Sequence, residues 1–227
     1  MKKIFFQPYV GSRYSEGING KKVLVIGASF YCDKTTCPFF SRCTDRNLKD
    51  SGEFDLVCPE YKEKGLVLHD EPTYCVSEQP KPYLNFGGNL AEILGMTQEE
   101  LWERLAFTNY VQYFLPARNG FAPTRKSDLS QRDFEAFIEV VRVLRPDVII
   151  VWGGVVNSAI KEDNPYIVSK SELEVTEYYV CHLNIPGIGH EIAVVNPHHP
   201  SSSAWYSDIE KFDKYLLDIL NSQAISF

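Results

Sequence analysis

The sequence has no excess of basic residues. Its 227 residues include 23 Lys and Arg against 30 Asp and Glu, which gives a formal net charge of −7. Proteins that bind nucleic acid without sequence preference are usually basic, because contacts with phosphates supply most of their affinity. The charge therefore disfavours that class of protein, although a small basic groove on an acidic surface stays compatible with it.

The sequence also lacks a long hydrophobic segment. No apolar run approaches the roughly 20 residues that a transmembrane helix requires. Near the N-terminus, Gln7 and Pro8 interrupt the apolar residues too early for the core of a secretory signal peptide. We therefore expect a cytoplasmic protein with no membrane partner, and the sequence identifies no protein partner.

The sequence has six cysteines but no CxxC pair. The CxxC spacing is typical of zinc and redox sites. In a cytoplasmic protein, clustered cysteines nevertheless favour reduced thiols or a metal site over disulfides. Zinc, an iron–sulfur cluster and no metal at all stay open. Some of the clustered cysteines are predicted to lie close together: Cys32, Cys37, Cys43, Cys58 and Cys75. They belong to a predicted irregular insertion at about residues 31–82 of a single domain that covers residues 1–227.

Glycine patterns that bind phosphate groups are missing as well. The first apolar run continues into "GASFYC", which matches neither GxGxxG nor a P-loop. This absence weakens one interpretation, an unrelated doubly wound protein whose cleft binds a small phosphorylated ligand.

The sequence does contain alternating apolar strands and amphipathic helices. Continuous apolar runs predict buried strands within residues 21–27, 105–114, 145–154 and 190–200, and residues 175–183 are predicted to form a hairpin with the last. Thr97 with Glu100, and Ser130, predict helix N-termini, and residues 204–220 predict a final helix. The alternation predicts a three-layer α/β/α fold with a central, mostly parallel sheet.

Polar or glycine residues follow each of the predicted central strands. In open α/β sheets, ligands bind beyond the carboxyl ends of the strands. We therefore predict that Gly27, Asn109, Gly153 and His199 lie at the same edge of the sheet and border one cleft.

The order of these motifs resembles that of the uracil-DNA glycosylase superfamily. The resemblance rests on the strand-end loop "GASFY", on Asn109 and on "HPS" at His199. In "KPYLNFGGNLAEILG" and "FTNYVQYFLPARNG" the chain is most similar to the branch that carries an iron–sulfur cluster. The resemblance implies an enzyme that hydrolyses the N-glycosidic bond of uracil or another modified base in single- or double-stranded DNA, as in base excision repair.

The resemblance also implies roles for individual residues. Tyr83 would stack on a base that is flipped out of the helix, and Asn109 would read the edge of that base. His199 would donate to the base oxygen that gains negative charge as the bond breaks. Gly27 and Tyr31 complete the implied base-binding residues. Two hydroxyl residues at a helix N-terminus would hold a phosphate: Ser201 and Ser202.

The first loop departs from the family pattern. Where the family has a carboxylate or Asn that positions the attacking water, this chain has Ala28 and Ser29. Ser29 can hold a water but is a poor base without a partner, so Asp33, Asp70 or another acidic residue are candidates to substitute. The iron–sulfur branch also has cysteines before its first strand, whereas this chain has none before Cys32. The cluster therefore does not follow from the resemblance.

Two functions within the family thus stay open. The first is a glycosylase, and the strand-end motifs favour it. The second is a non-catalytic member that binds a nucleobase, a nucleotide or nucleic acid. The missing carboxylate and the acidic net charge favour this second function.

Overall fold

The computed structural model describes residues 4–32, 37, 81–117, 124–162, 164–171 and 180–222. The strands in these ranges are β1 Tyr9–Val10, β2 Val23–Gly27, β3 Phe30–Cys32, β4 Leu105–Asn109, β5 Phe114–Pro116, β6 Val148–Val151, β7 Ile167–Ser171, β8 Val180–Leu183 and β9 Ile192–Val195. The α-helices are α1 Lys81–Leu94, α2 Gln98–Arg104, α3 Gln131–Leu144, α4 Gly154–Lys161 and α5 Ser203–Asn221. A 3-10 turn covers Lys126–Asp128.

Seven strands form one sheet in the order β1-β4-β2-β6-β9-β8-β7. Four of these strands, β4, β2, β6 and β9, are parallel to one another. β1 pairs antiparallel at one edge, and β8 and β7 form antiparallel pairs at the other. The predicted hairpin is confirmed, since Leu183 of β8 lies opposite Ile192 of β9.

Helices cover both faces of this sheet. Val23 and Val25 of β2 face a core that includes Phe86 of α1, Trp102 of α2 and Phe212 of α5. The alternate residues of the same strand face the helices α3 and α4 on the opposite side. Fully burying such a side chain contributes roughly 1.5–3 kcal/mol, so a strand buried on both faces stabilises both layers at once. The predicted three-layer α/β/α fold is confirmed.

The helix N-termini follow their local sequence. Thr97 and Glu100 form a complete capping box at α2, and Ser130 and Asp133 form another at α3. Each box satisfies backbone N–H groups that the first turn of a helix leaves unpaired. These short-range signals explain why both helix starts could be predicted.

The structure describes only the ends of the predicted insertion, together with Cys37. Tyr31 and Cys32 belong to β3, which pairs with β5 in a separate two-stranded parallel sheet. Lys81 and Pro82 begin α1, where proline is tolerated because first-turn N–H groups have no helical partner. Among the described residues, no helix has the length and apolar character needed to cross a membrane.

Candidate active site

The four residues predicted to share one edge of the sheet do so. Gly27 ends β2 directly opposite Asn109, the last residue of β4. Gly153 follows β6 and His199 follows β9, and a Cβ placed on Gly153 would lie 3.6 Å from the Cβ of His199. Asn196 joins these strand ends, because its Nδ2 donates to the carbonyls of Val151 (2.7 Å) and Gly153 (3.1 Å). The four residues thus lie at the carboxyl ends of four parallel strands of the sheet.

Asn109 places a polar group in the interior at this edge. The residue is 3% exposed, and within the described part of the chain no hydrogen bond engages its side-chain amide. The amide oxygen faces Gly27 so closely that a Cβ there would overlap it. The amide therefore has donors and an acceptor with which a ligand of complementary polar edge could pair.

Gln112 holds the backbone of this segment in place. Its Nε2 donates to the carbonyl of Asn109 at 2.7 Å, and its Oε1 accepts from the N–H groups of Phe5 (2.9 Å) and Phe6 (3.1 Å). Its own N–H donates to Asp133 Oδ1 at 2.9 Å. Gln112 therefore fixes the strand end that carries Asn109 to the N-terminal segment and to α3.

Aromatic rings line the face of the sheet beside Asn109. The Tyr83 ring on α1 lies 5.1 Å from the Phe107 ring and 5.4 Å from the Trp152 ring. Phe107 lies two residues before Asn109 on β4, so both side chains point to the same face. Trp152 is buried, and its indole N–H has no partner in the described residues. The group formed by Tyr83, Phe107 and Trp152 is called the aromatic wall below.

His199 extends the aromatic wall on its far side. Its ring centroid lies 6.2 Å from that of Trp152, with the two planes nearly perpendicular. Its Nδ1 accepts from the Ser201 N–H at 3.3 Å and lies 2.8 Å from the Ser201 hydroxyl. Because a backbone N–H can only donate, the neutral ring carries its proton on Nε2. Burial lowers the pKa of His199, which favours this neutral form and leaves Nε2–H as a donor.

The serines that follow His199 build the start of α5. Ser202 is the N-cap, accepting from the Trp205 N–H at 3.3 Å and donating to the His199 carbonyl at 2.8 Å. Ser201 contacts the His199 ring. Both hydroxyls thus shape the loop that holds His199. The phosphate-binding role predicted for them stays a prediction.

The first loop has a different arrangement from the one the resemblance implies. The Ala28 side chain packs against the core on the α3 and α4 side of the sheet. The Ser29 hydroxyl lies 2.7 Å from the hydroxyl of Thr124, and the Tyr31 hydroxyl lies 3.1 Å from the same oxygen. Tyr31 is exposed. Asp33 and Asp70, the candidates to substitute for a carboxylate, lie outside the described residues.

Most of the predicted metal ligands lie outside the described residues. These are Cys43, Cys58 and Cys75. Cys32 is buried and Cys37 is half-buried. Across the described ranges, no group of three or more His, Cys, Asp or Glu side chains is placed to hold a metal ion. Zinc, an iron–sulfur cluster and the absence of a metal therefore stay open.

Several residues at the site were not singled out from the sequence. Trp152 could have been noticed, because it directly follows the buried strand β6 in "WGG". Gln112 and Asn196 lie in segments that follow predicted strands, whereas Thr124 does not. In all three cases, only contacts with distant parts of the chain show that the side chain shapes the site.

In comparisons with known proteins, no family model matches the chain and no curated protein matches it.

Proposed function

We propose that the protein is a uracil-DNA glycosylase-like enzyme of the cytoplasm. Its substrate would be uracil or another modified base in DNA, and its reaction the hydrolysis of the N-glycosidic bond. The single observation that carries this proposal is Asn109, a residue only 3% exposed at a strand end, whose side-chain amide has no hydrogen bond among the described residues. A flipped base supplies the complementary donors and acceptors that such an amide needs.

The surroundings of Asn109 suit recognition of a base. Its amide offers one acceptor and two donors, which match the carbonyl and N–H groups along a pyrimidine edge. The aromatic wall offers a flat apolar surface, and stacking a base on an aromatic side chain contributes roughly 1–3 kcal/mol. Gly27 leaves room for the Asn109 amide beside the strand end. Base reading and base stacking would therefore occur on one face of the sheet.

His199 supports the chemical step. When the bond between C1′ and the base nitrogen breaks, its electron pair goes to the base, and negative charge develops on a base oxygen. The Nε2–H of His199 is a fixed donor for such an oxygen, because Ser201 holds Nδ1 as an acceptor. A water then bonds to C1′ and releases a proton, while the base anion takes up a proton from solvent.

A second function, binding of a nucleobase or nucleotide without cleavage, is favoured by one observation at the first loop. Ala28 packs into the core, and the Ser29 hydroxyl bonds to Thr124. Neither residue supplies the carboxylate or amide with which the family positions water. This alternative retains Asn109 and the aromatic wall as the binding site.

A glycosylase assay separates the two functions. The purified protein is incubated with single- and double-stranded oligonucleotides that carry uracil, hypoxanthine or xanthine, and abasic sites are cleaved with alkali. We expect excision of at least one of these bases, and Asn109→Ala should broaden or abolish the choice among them. Because the amide of Asn109 would contact the flipped base and no phosphate, this variant should bind undamaged DNA as the wild type does.

Two results would change the proposal. Excision by wild type but unchanged base choice in Asn109→Ala would remove Asn109 from base reading. A wild-type protein that excises none of the three bases, yet retains free uracil in equilibrium dialysis, would establish the binding function instead.

A further inference from the structure

Three hydroxyl groups from two separate parts of the chain meet beside the first strand-end loop. Thr124 Oγ1 lies 2.7 Å from Ser29 Oγ and 3.1 Å from Tyr31 Oη. Thr124 is 9% exposed, whereas Tyr31 is 41% exposed. The three groups therefore form a connected chain that begins at the loop, passes through a buried oxygen and ends at solvent. They are called the hydroxyl chain below.

The inner end of the hydroxyl chain is fixed close to the proposed base-reading residue. Ser29 lies two residues after Gly27, which pairs with Asn109. The carbonyls of Gly27 and Ala28 accept from the N–H groups of Tyr110 and Val111, both at 2.9 Å. These backbone bonds hold the loop against the segment that directly follows Asn109.

The hydroxyl chain can carry a proton in a defined direction. In both of its contacts either oxygen can be the donor. Three hydroxyls have three protons, and two hydrogen bonds use two of them, so one proton always points outside the chain. If all the bonds reverse together, a proton enters at Ser29 and another leaves at Tyr31, with no net charge left in the interior.

We propose that the hydroxyl chain accepts the proton of the attacking water and passes a proton to solvent. This inference rests on the proposed glycosylase function. As the water oxygen bonds to C1′, its proton moves to Ser29 Oγ. The Ser29 proton moves to Thr124, the Thr124 proton to Tyr31, and the Tyr31 proton to bulk water. Each hydroxyl ends with one proton, as it began.

The physical chemistry of the step makes a carboxylate unnecessary. A water that has bonded to an electron-poor C1′ is a strong acid, so a weakly basic hydroxyl is sufficient to accept its proton. Burying a carboxylate would add a large desolvation cost, whereas hydroxyls that are neutral and hydrogen-bonded to one another add much less. Ser29 would contact the attacking water directly. Thr124 and Tyr31 would act through Ser29 as positioning residues.

The test compares variants that interrupt the hydroxyl chain with variants that preserve it. Thr124→Val removes the middle hydroxyl with little change of shape, Thr124→Ser retains it, and Tyr31→Phe removes the exposed end. Two matched hydroxyl deletions away from the site, Ser207→Ala and Tyr166→Phe, serve as controls. Single-turnover excision of uracil, hypoxanthine and xanthine from the oligonucleotides is measured in H₂O and in D₂O, together with DNA affinity.

We expect Thr124→Val and Tyr31→Phe to slow excision roughly tenfold. This is less than the roughly 100- to 10,000-fold contribution of a positioned general base, because bulk water can partly replace the hydroxyl chain. Both should lose the part of the solvent isotope effect that comes from several moving protons, while DNA affinity is unchanged. Thr124→Ser and the two controls should retain the wild-type rate and isotope effect. Tyr31 is exposed, so its variant tests the inference even if Thr124→Val folds poorly.

The outcomes distinguish this inference from the proposed function. If wild type excises a base while Thr124→Val and Tyr31→Phe match its rate and isotope effect, the hydroxyl chain has no role and the glycosylase function stands. If wild type excises none of the three bases, both are overturned.

Discussion

The close approach of Asn109 to Gly27 makes a substitution at Gly27 the most informative perturbation. In Gly27→Ala, the new Cβ would overlap Asn109 Oδ1 and lie 3.0 and 3.3 Å from two ring carbons of Phe107. Overpacking of this kind costs roughly 1–3 kcal/mol. Alanine also restricts the unfolded chain, which offsets about 0.4–1 kcal/mol. We therefore expect a net destabilisation of roughly 1–2 kcal/mol.

The same substitution should impair base reading, because the amide of Asn109 must move to relieve the overlap. Equilibrium urea unfolding measures the stability, and the excision assay measures the activity. Gly189→Ala is the matched control, since a Cβ at Gly189 meets no atom within 4 Å. It should leave both stability and activity near the wild-type values.

A double-mutant cycle with Asn109→Ala tests whether the destabilisation by Gly27→Ala comes from overlap with the Asn109 amide. Removing the amide removes the nearest obstacle, so Gly27→Ala should be better tolerated in the Asn109→Ala background, with a coupling energy of roughly 1 kcal/mol. The residual cost comes from Phe107. If Gly27→Ala is as stable as Gly189→Ala, or if the two substitutions are simply additive, the reasoning about this close approach is wrong.

Three further predictions concern chemistry, pH and packing. His199→Ala should lower single-turnover excision on the order of 100- to 1000-fold, since it removes a donor from the developing charge, whereas Ser29→Ala should lower it only about tenfold; equal losses in the two variants would contradict the assignment. Burial raises the pKa of Asp213 to about 6 even though Asn89 donates to it. Between about pH 4 and pH 6 the folded state therefore binds a proton that the unfolded state does not, so stability falls as pH rises through this window. Asp213→Asn should abolish this fall in stability and stabilise the protein by about 1 kcal/mol near neutral pH, a value reduced for solvent screening because the carboxyl is partly exposed. Urea unfolding across this pH range measures the effect. A variant whose stability depends on pH as that of the wild type does would refute the prediction. Gln112→Leu should destabilise the protein by roughly 3 kcal/mol, because it removes the side chain that pairs with two buried N–H groups and one carbonyl. Thermal unfolding measures this loss. A variant as stable as the wild type would show that Gln112 does not fix the strand end in place.

Local sequence patterns predict the layers of the fold. The run that forms β2 is apolar at every position, which requires burial on both faces and hence helices on both sides of the sheet. Ser130 and Asp133 specify the start of α3 through hydrogen bonds that span only three residues. Such signals depend on neighbouring residues alone, so no knowledge of the tertiary structure is needed to use them.

The meeting of the strand ends was also predictable, for a topological reason. Parallel strands must end at the same edge, so a residue that follows each strand is brought to one surface whatever the register. Gly27, Asn109, Gly153 and His199 could be placed together on that basis. The resemblance supplied the expected roles of Gly27, Asn109 and His199, and those roles stay proposals for the assays above.

What the sequence by itself determined is therefore the layered fold, its helix caps and the edge of the sheet where the candidate site lies. The tertiary structure alone decided which side chains touch there. Ser29 meets Thr124 across 95 positions of sequence, and Gln112 meets the N-terminal segment across more than 100. The neutral tautomer of His199 depends on the turn that brings the Ser201 N–H to its ring. Hydrogen bonds require atoms to approach within about 3 Å in a defined direction, and periodicity places residues on a face without fixing contacts at that precision.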